Sequence, residues 1–130
     1  MRYISFVIPH TNMPPNQELM DAMGKLAERE MQAGRLIDMG GLLPVNTATR
    51  VAIKKNKLLV TDGPFAESKE VVGGYAVFEF ATKEDAVASA VEFMNLHKQF
   101  MPGWEGVCEL RQLAPNGPAE SCGAHVVNAA

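Results

Sequence analysis

Three side chains in this sequence are suited to handling a proton or an oxyanion: Asp62, His97 and Tyr75. Asp62 closes a short apolar, β-branched run and is followed by Gly63-Pro64, so its carboxylate is fixed at a strand end. There it either accepts hydrogen bonds from nearby backbone N–H groups, as Asp before Gly commonly does, or faces a pocket. His97 shares a stripe with Ala86, Ala90 and Phe93 at near-multiples of 3.6 residues, which turns it toward a sheet rather than water. Imidazole is the side chain whose unperturbed pKa lies near neutrality, as general acid/base catalysis requires. The plainer reading is a partly buried histidine bonded to a backbone carbonyl near a helix C-terminus, where the helix dipole favours its charged form. Tyr75 follows two glycines at a strand start. It is either an aromatic of the core or of a dimer face with its hydroxyl bonded, or a donor to an oxyanion. The expected catalytic set is thus Asp62 and His97 as the proton-handling pair with Tyr75 orienting the substrate.

Other candidates carry less chemistry. Trp104, the single tryptophan, lies beside Glu105 in a Pro-Gly loop and reads as a packing plug that can also wall a pocket. Arg50 and Arg111 are strand-borne cations, suited to an anion or simply to solvent. His10 follows the first strand as a loop residue, and His125 belongs to the tail. No G-x-x-x-x-G-K-S/T or G-x-G-x-x-G loop marks a nucleotide site, and no G-x-S-x-G elbow marks a hydrolase nucleophile. No H-E-x-x-H or clustered His/Cys marks zinc. No cofactor or metal is expected.

The elements that must position these residues are legible in the pattern. Residues 3–8 are nearly all apolar or β-prone, as in a strand buried on both faces. Asn16 is a plausible N-cap after Pro14-Pro15, and Leu19, Met20, Met23, Leu26, Ala27 and Met31 recur at helical spacing until Gly34 at C′. Residues 35–43 form a second extended piece, broken by Gly40-Gly41. Residues 49–53 and 58–61 flank Lys55-Asn56, a hairpin signal because Asn tolerates positive φ. Residues 73–80 read as a strand, Thr82 caps a second helix, and residues 107–113 form the last strand. Residues 1–113 make one domain, and 114–130, rich in Pro, Gly, Ala, Ser and Asn, make a mobile tail.

This order predicts an α+β fold, a ferredoxin-like split βαβ with an inserted β-hairpin. Two helices cover one face of such a sheet. Tyr3, Val7, Tyr75 and Val77 are expected on the uncovered face, opposite Ile4, Phe6, Ile8, Ala76, Phe78 and Phe80. An uncovered apolar face is rare on monomers. A homodimer with two sheets face to face is therefore expected.

Composition sets outer bounds. The chain has 130 residues, 47% hydrophobic and 21% charged, with a net charge of −3 and both signs mixed along its length. That profile fits one soluble core and argues against direct nucleic-acid binding, which needs a basic face. The largest basic cluster, Lys54-Lys55-Asn56-Lys57, reads as a solvated turn. Cys108 and Cys122 lack C-x-x-C spacing and imply no disulfide framework. The opening apolar run is too short for a signal peptide, and no stretch approaches the ~20 apolar residues that span a bilayer. The expected location is the cytoplasm, away from membranes.

The run Thr61-Asp62-Gly63-Pro64-Phe65-Ala66-Glu67 followed by Gly73-Gly74-Tyr75 resembles the signature of the YCII-related family, in its branch named for the DGPF motif. Phe93-Met94, Leu96-His97 and Pro102-Gly103-Trp104-Glu105-Gly106 resemble that branch's C-terminal motif. The likeness runs from residue 1 to 113. It implies a ferredoxin-like chain in a dimeric α/β-barrel-type assembly. Related YCII proteins have been suggested to be enzymes on account of a histidine early in the first helix and an aspartate. Residues 16–31 here contain no histidine. Some members of the DGPF branch are associated with extracytoplasmic-function sigma factors.

Two functions follow as expectations, with a purely structural dimer module, marked by a closed interface without a pocket, as a third reading. The first is a cofactor-free enzyme acting by acid/base chemistry on a small organic substrate. The second is a non-catalytic small-molecule-binding or regulatory protein associated with sigma-factor transcription control. A shared pocket for Asp62 and His97 favours the first, and ligand binding without turnover the second.

Overall fold

In the computed structural model, described over residues 1–65 and 71–115, two β-α-β units interleave. The first comprises β1 (Arg2–Pro9), α1 (Gln17–Gln32) and β2 (Leu36–Gly41). The second comprises β5 (Gly74–Glu79), α2 (Lys83–Phe100) and β6 (Gly106–Gln112). Between them stand β3 (Thr49–Lys54) and β4 (Lys57–Asp62), a separate two-stranded hairpin. The main sheet has the order β2-β5-β1-β6 with every neighbouring pair antiparallel. Residues 66–67 of the central motif, and the expected tail beyond residue 115 with Cys122 and His125, lie outside the described residues.

Both helices start where side-chain chemistry tells them to. Asn16 Oδ1 accepts the Leu19 backbone N–H at 2.9 Å, and Thr82 Oγ1 accepts that of Asp85 at 3.1 Å. Each cap satisfies an N–H that has no partner within the helix. Asn16 Nδ2 also donates to the Phe100 carbonyl at 2.8 Å, tying the start of α1 to the end of α2. Gly34 takes φ 77° just past α1, where the glycine avoids the Cβ penalty of the left-handed region. The β3–β4 turn places Lys55 and Asn56 at φ 50° and 64°, both positive as a two-residue type I′ hairpin requires.

The helices cover one face of the sheet. Register puts Tyr3, Ser5 and Val7 of β1 opposite Phe78, Ala76 and Gly74 of β5, so these share a face. Tyr3, Phe80 and Ala86 form the buried cluster there, with Phe78 and Leu110 packed against it. The rings of Phe78 and Phe80 stack with centroids 5.2 Å apart. Ala76, Phe78 and Phe80 lie on the covered face and Tyr75 and Val77 on the other, as the alternation predicts. The phase of β1 is the reverse of that expected: Tyr3 and Val7 are covered, while Ile4 and Phe6 pair with Val77 and Tyr75 on the open face. In a strand apolar on both sides, alternation carries no sign to fix which set faces the helices.

A charged cluster joins α1, α2 and Arg35, the residue just before β2. Glu30 is only 4% exposed, and its Oε1 accepts from Arg35 Nε at 2.8 Å. Its Oε2 accepts from Arg35 Nη2 at 2.8 Å and Arg29 Nε at 3.0 Å. Arg29 then reaches Glu92 on α2 through two bonds of 2.8 and 2.7 Å. The Arg35 guanidinium, seconded by Arg29, lowers the Glu30 carboxyl from 4.5 to about 2, against the opposing effect of burial.

Candidate functional site

Between the helices and the covered sheet face lies a cavity of about 790 Å³, within the size range of small-molecule sites. Its floor includes Ser5, Ala76, Phe78 and Leu110. Its roof includes Leu19 and Met23 of α1 with Ala90, Phe93 and His97 of α2. The small side chains at Ala76, Ala86 and Ala90 help leave the space open, because alanine cannot reach across the gap between helix and strand.

His97 is the ionisable side chain best placed for proton chemistry here. It is 5% exposed and lines the cavity. Phe93 and Trp104 flank its ring, with centroids 4.8 and 4.6 Å away. Its Nδ1 lies 3.1 Å from the Phe93 carbonyl one turn earlier in α2. A carbonyl only accepts, so Nδ1 carries the proton and the neutral ring presents a lone pair at Nε2. No side chain or carbonyl among the described residues engages Nε2. Burial lowers the imidazole pKa below 6.5, outweighing the Phe93 carbonyl, so the ring is neutral near pH 7. Helical spacing predicts the burial and the carbonyl bond, while the dipole argument for a charged ring yields to desolvation.

Trp104 walls the end of the cavity. A Cβ at Gly106 would collide with the edge of its ring, so the bare glycine makes room for the indole at the start of β6. Cys108 also lines the cavity, and burial pushes its thiol pKa up, so it stays a protonated thiol rather than a nucleophile.

The other two expected site residues are engaged away from His97. Asp62 ends β4 on the exposed hairpin, where its Oδ1 accepts from Thr49 Oγ1 at 2.6 Å. It is not among the cavity residues and makes no bond to His97. Tyr75 borders the cavity, but register sends its ring across Gly40 on the open sheet face, where its hydroxyl donates to Asp38 at 3.2 Å. That bond holds the phenol pKa above its ordinary value. A Cβ at Gly40 would come within 3.0 Å of the Tyr75 ring, so the glycine pair that breaks the expected strand makes room for this aromatic.

Neither strand-borne cation lines the cavity. Arg50 stacks over Phe65 at 3.8 Å, and Arg111 lies on the surface 4.0 Å from Glu109. Among the described residues no cluster of His, Cys, Asp and Glu could hold a metal ion, and no helix is long and apolar enough to cross a membrane.

Two buried polar groups on the cavity wall went unread in the sequence. Glu30 sits at an ordinary charged position of an amphipathic helix, and its partner Arg35 lies beyond the helix end. Ser5 carried a signal: it is the one small polar residue in the run Tyr3-Ile4-Ser5-Phe6-Val7-Ile8.

Sequence comparison adds family to this geometry. A family model described as the YCII-related domain matches residues 1–93. An uncharacterized protein of Rhizobium meliloti (strain 1021) is 27% identical over 105 residues, covering 81% of this chain and 81% of that protein.

Proposed function

The chain belongs to the YCII-related domain family, and from that premise we propose that it binds a small organic molecule beneath its two helices and moves a proton on it through His97, without a cofactor. One observation carries this reading. A buried, neutral imidazole on the wall of an apolar cavity has Nδ1 fixed by a backbone carbonyl and no partner among the described residues at Nε2. Such a nitrogen is a ready proton acceptor, and the apolar surroundings sharpen its interaction with whatever enters. Within this reading the protein is a ferredoxin-like member of the DGPF-motif branch and works as a homodimer through its uncovered sheet face, where Ile4, Phe6, Tyr75 and Val77 gather.

A second reading has its own support. His97 leans on a carbonyl rather than a carboxylate, and Asp62 is engaged with Thr49. An imidazole without a carboxylate partner is a weaker catalytic base but a serviceable hydrogen-bond acceptor. A ligand-sensing protein, linked to sigma-factor control as the DGPF resemblance suggests, fits that arrangement.

The test is a thermal-shift screen of metabolites, followed by turnover assays on the hits with the parent protein and His97→Gln. Catalysis predicts product with the parent protein and at least a hundredfold loss with the variant. Stabilisation without product points to the sensor. A screen in which no compound shifts the melting temperature removes both.

A further inference from the structure

The cavity wall also carries a buried, unengaged hydroxyl on the sheet side, across from His97. Ser5 lies in β1, a central strand, between Ala76 of β5 and Leu110 of β6. It shares the helix-facing side with Tyr3 and Val7, is 7% exposed and lines the cavity. Its hydroxyl has no hydrogen-bond partner among the described residues. Buried hydroxyls normally find one, because leaving them unpaired is unfavourable. Valine at this position would remove the mismatch and suit a central strand.

Charge narrows the ligand further. Among the described residues the wall holds no lysine, arginine or aspartate. Its one carboxylate, Glu30, has both oxygens taken by Arg35 and Arg29. An anionic ligand would therefore enter an apolar space with no counter-charge, at a large desolvation cost.

From these observations, and resting on the ligand-binding reading above, we infer that the ligand is an uncharged, ring-sized apolar molecule bearing a hydroxyl or carbonyl group, and that Ser5 binds that group. Ser5 can donate to a carbonyl or exchange a hydrogen bond with a hydroxyl, whereas the surrounding Phe78, Leu110 and Phe93 supply apolar contact for the ring.

Three probes of one shape test this: 2-naphthol, naphthalene and 2-naphthoate, measured by equilibrium binding near pH 7. The parent protein should bind 2-naphthol about tenfold more tightly than naphthalene, the preference one hydrogen bond gives. It should bind 2-naphthoate more weakly than either. Ser5→Ala should cancel the preference for 2-naphthol while naphthalene binds as before, and that retained binding shows the variant is folded. Leu110→Trp, which fills the floor, should abolish binding of both neutral probes. A preference for 2-naphthol that survives Ser5→Ala, or tightest binding of 2-naphthoate, overturns the inference and leaves the ligand-binding reading standing. Neutral probes that bind the parent and Leu110→Trp equally, or bind neither, refute the ligand-binding reading itself.

Discussion

Thr49 donates its hydroxyl to the Asp62 carboxylate at 2.6 Å, joining the first residue of β3 to the last of β4. The adjacent Gly63 N–H donates to the Ala48 carbonyl at 2.8 Å and closes the same end. A Cβ at Gly63 would crowd the Asn46 carbonyl at 3.0 Å, so the Asp-Gly sequence suits this clasp sterically as well as by hydrogen bonding. The aspartate that opens the central motif thus has a definite local task, holding the hairpin base.

Asp62→Ala should loosen the hairpin by about 1 kcal/mol, the usual net worth of one hydrogen bond. Hydrogen exchange should speed up across residues 49–62, with ligand affinity in the cavity unchanged. Thr49→Val should reproduce the effect. An Asp62→Ala variant that instead loses turnover at unaltered exchange rates would place this carboxylate in the chemistry.

His97 sets an acid limb. Its folded pKa is lowered below 6.5 by burial, so the unfolded chain takes up the proton first as pH falls. The associated stability is complete above pH 6.5 and declines as pH drops through the folded value. His97→Gln should flatten that segment of a denaturation-midpoint profile. If the proposed chemistry holds, activity should fall over the same range, because protonated Nε2 no longer accepts.

Glu30 acts lower on the pH scale. Its carboxyl is lowered from 4.5 to about 2, so its contribution is present above pH 4.5 and lost as pH falls toward 2. Glu30→Gln should cost about 2 kcal/mol in urea unfolding near neutrality, the range for a hydrogen bond to a charged group, since both arginines are half-exposed and recover some solvation. Arg35→Met should cost more than Arg29→Met, because Arg35 holds both oxygens of the carboxylate.

The uncovered sheet face should be the dimer contact. Val77→Glu places a charge among Ile4, Phe6 and Tyr75 and should convert the protein to a monomer in sedimentation velocity. The hairpin carries apolar surface of its own: Val51, Ile53, Leu58 and Val60 share one of its faces and are exposed in the single chain. Isolated two-stranded hairpins are marginal in water. A parent protein that sediments as a stable monomer at micromolar concentration removes this assembly.

Local signals were the readable ones. Asn16, Thr82 and Gly34 mark helix ends through bonds made within a few residues, and Lys55-Asn56 marks its turn in the same way. The stripe Ala86-Ala90-Phe93-His97 predicts correctly that the imidazole faces inward. What stayed hidden depends on distant partners. The phase of β1 is decided by which side the helices occupy, and both sides of that strand are apolar. The burial of Glu30 depends on an arginine beyond the helix end and a second carboxylate on α2. The separation of Asp62 from the cavity reflects where a whole hairpin projects, and no pattern within the hairpin encodes that.

The chain's single tryptophan lies against an imidazole at the edge of the empty space, its indole 4.6 Å from the His97 ring. The molecule therefore carries a built-in optical gauge. A charged imidazole quenches indole emission and a neutral one does so weakly, so intrinsic fluorescence should register the proton on His97 and, on the proposed reading, the arrival of a guest, with no label attached.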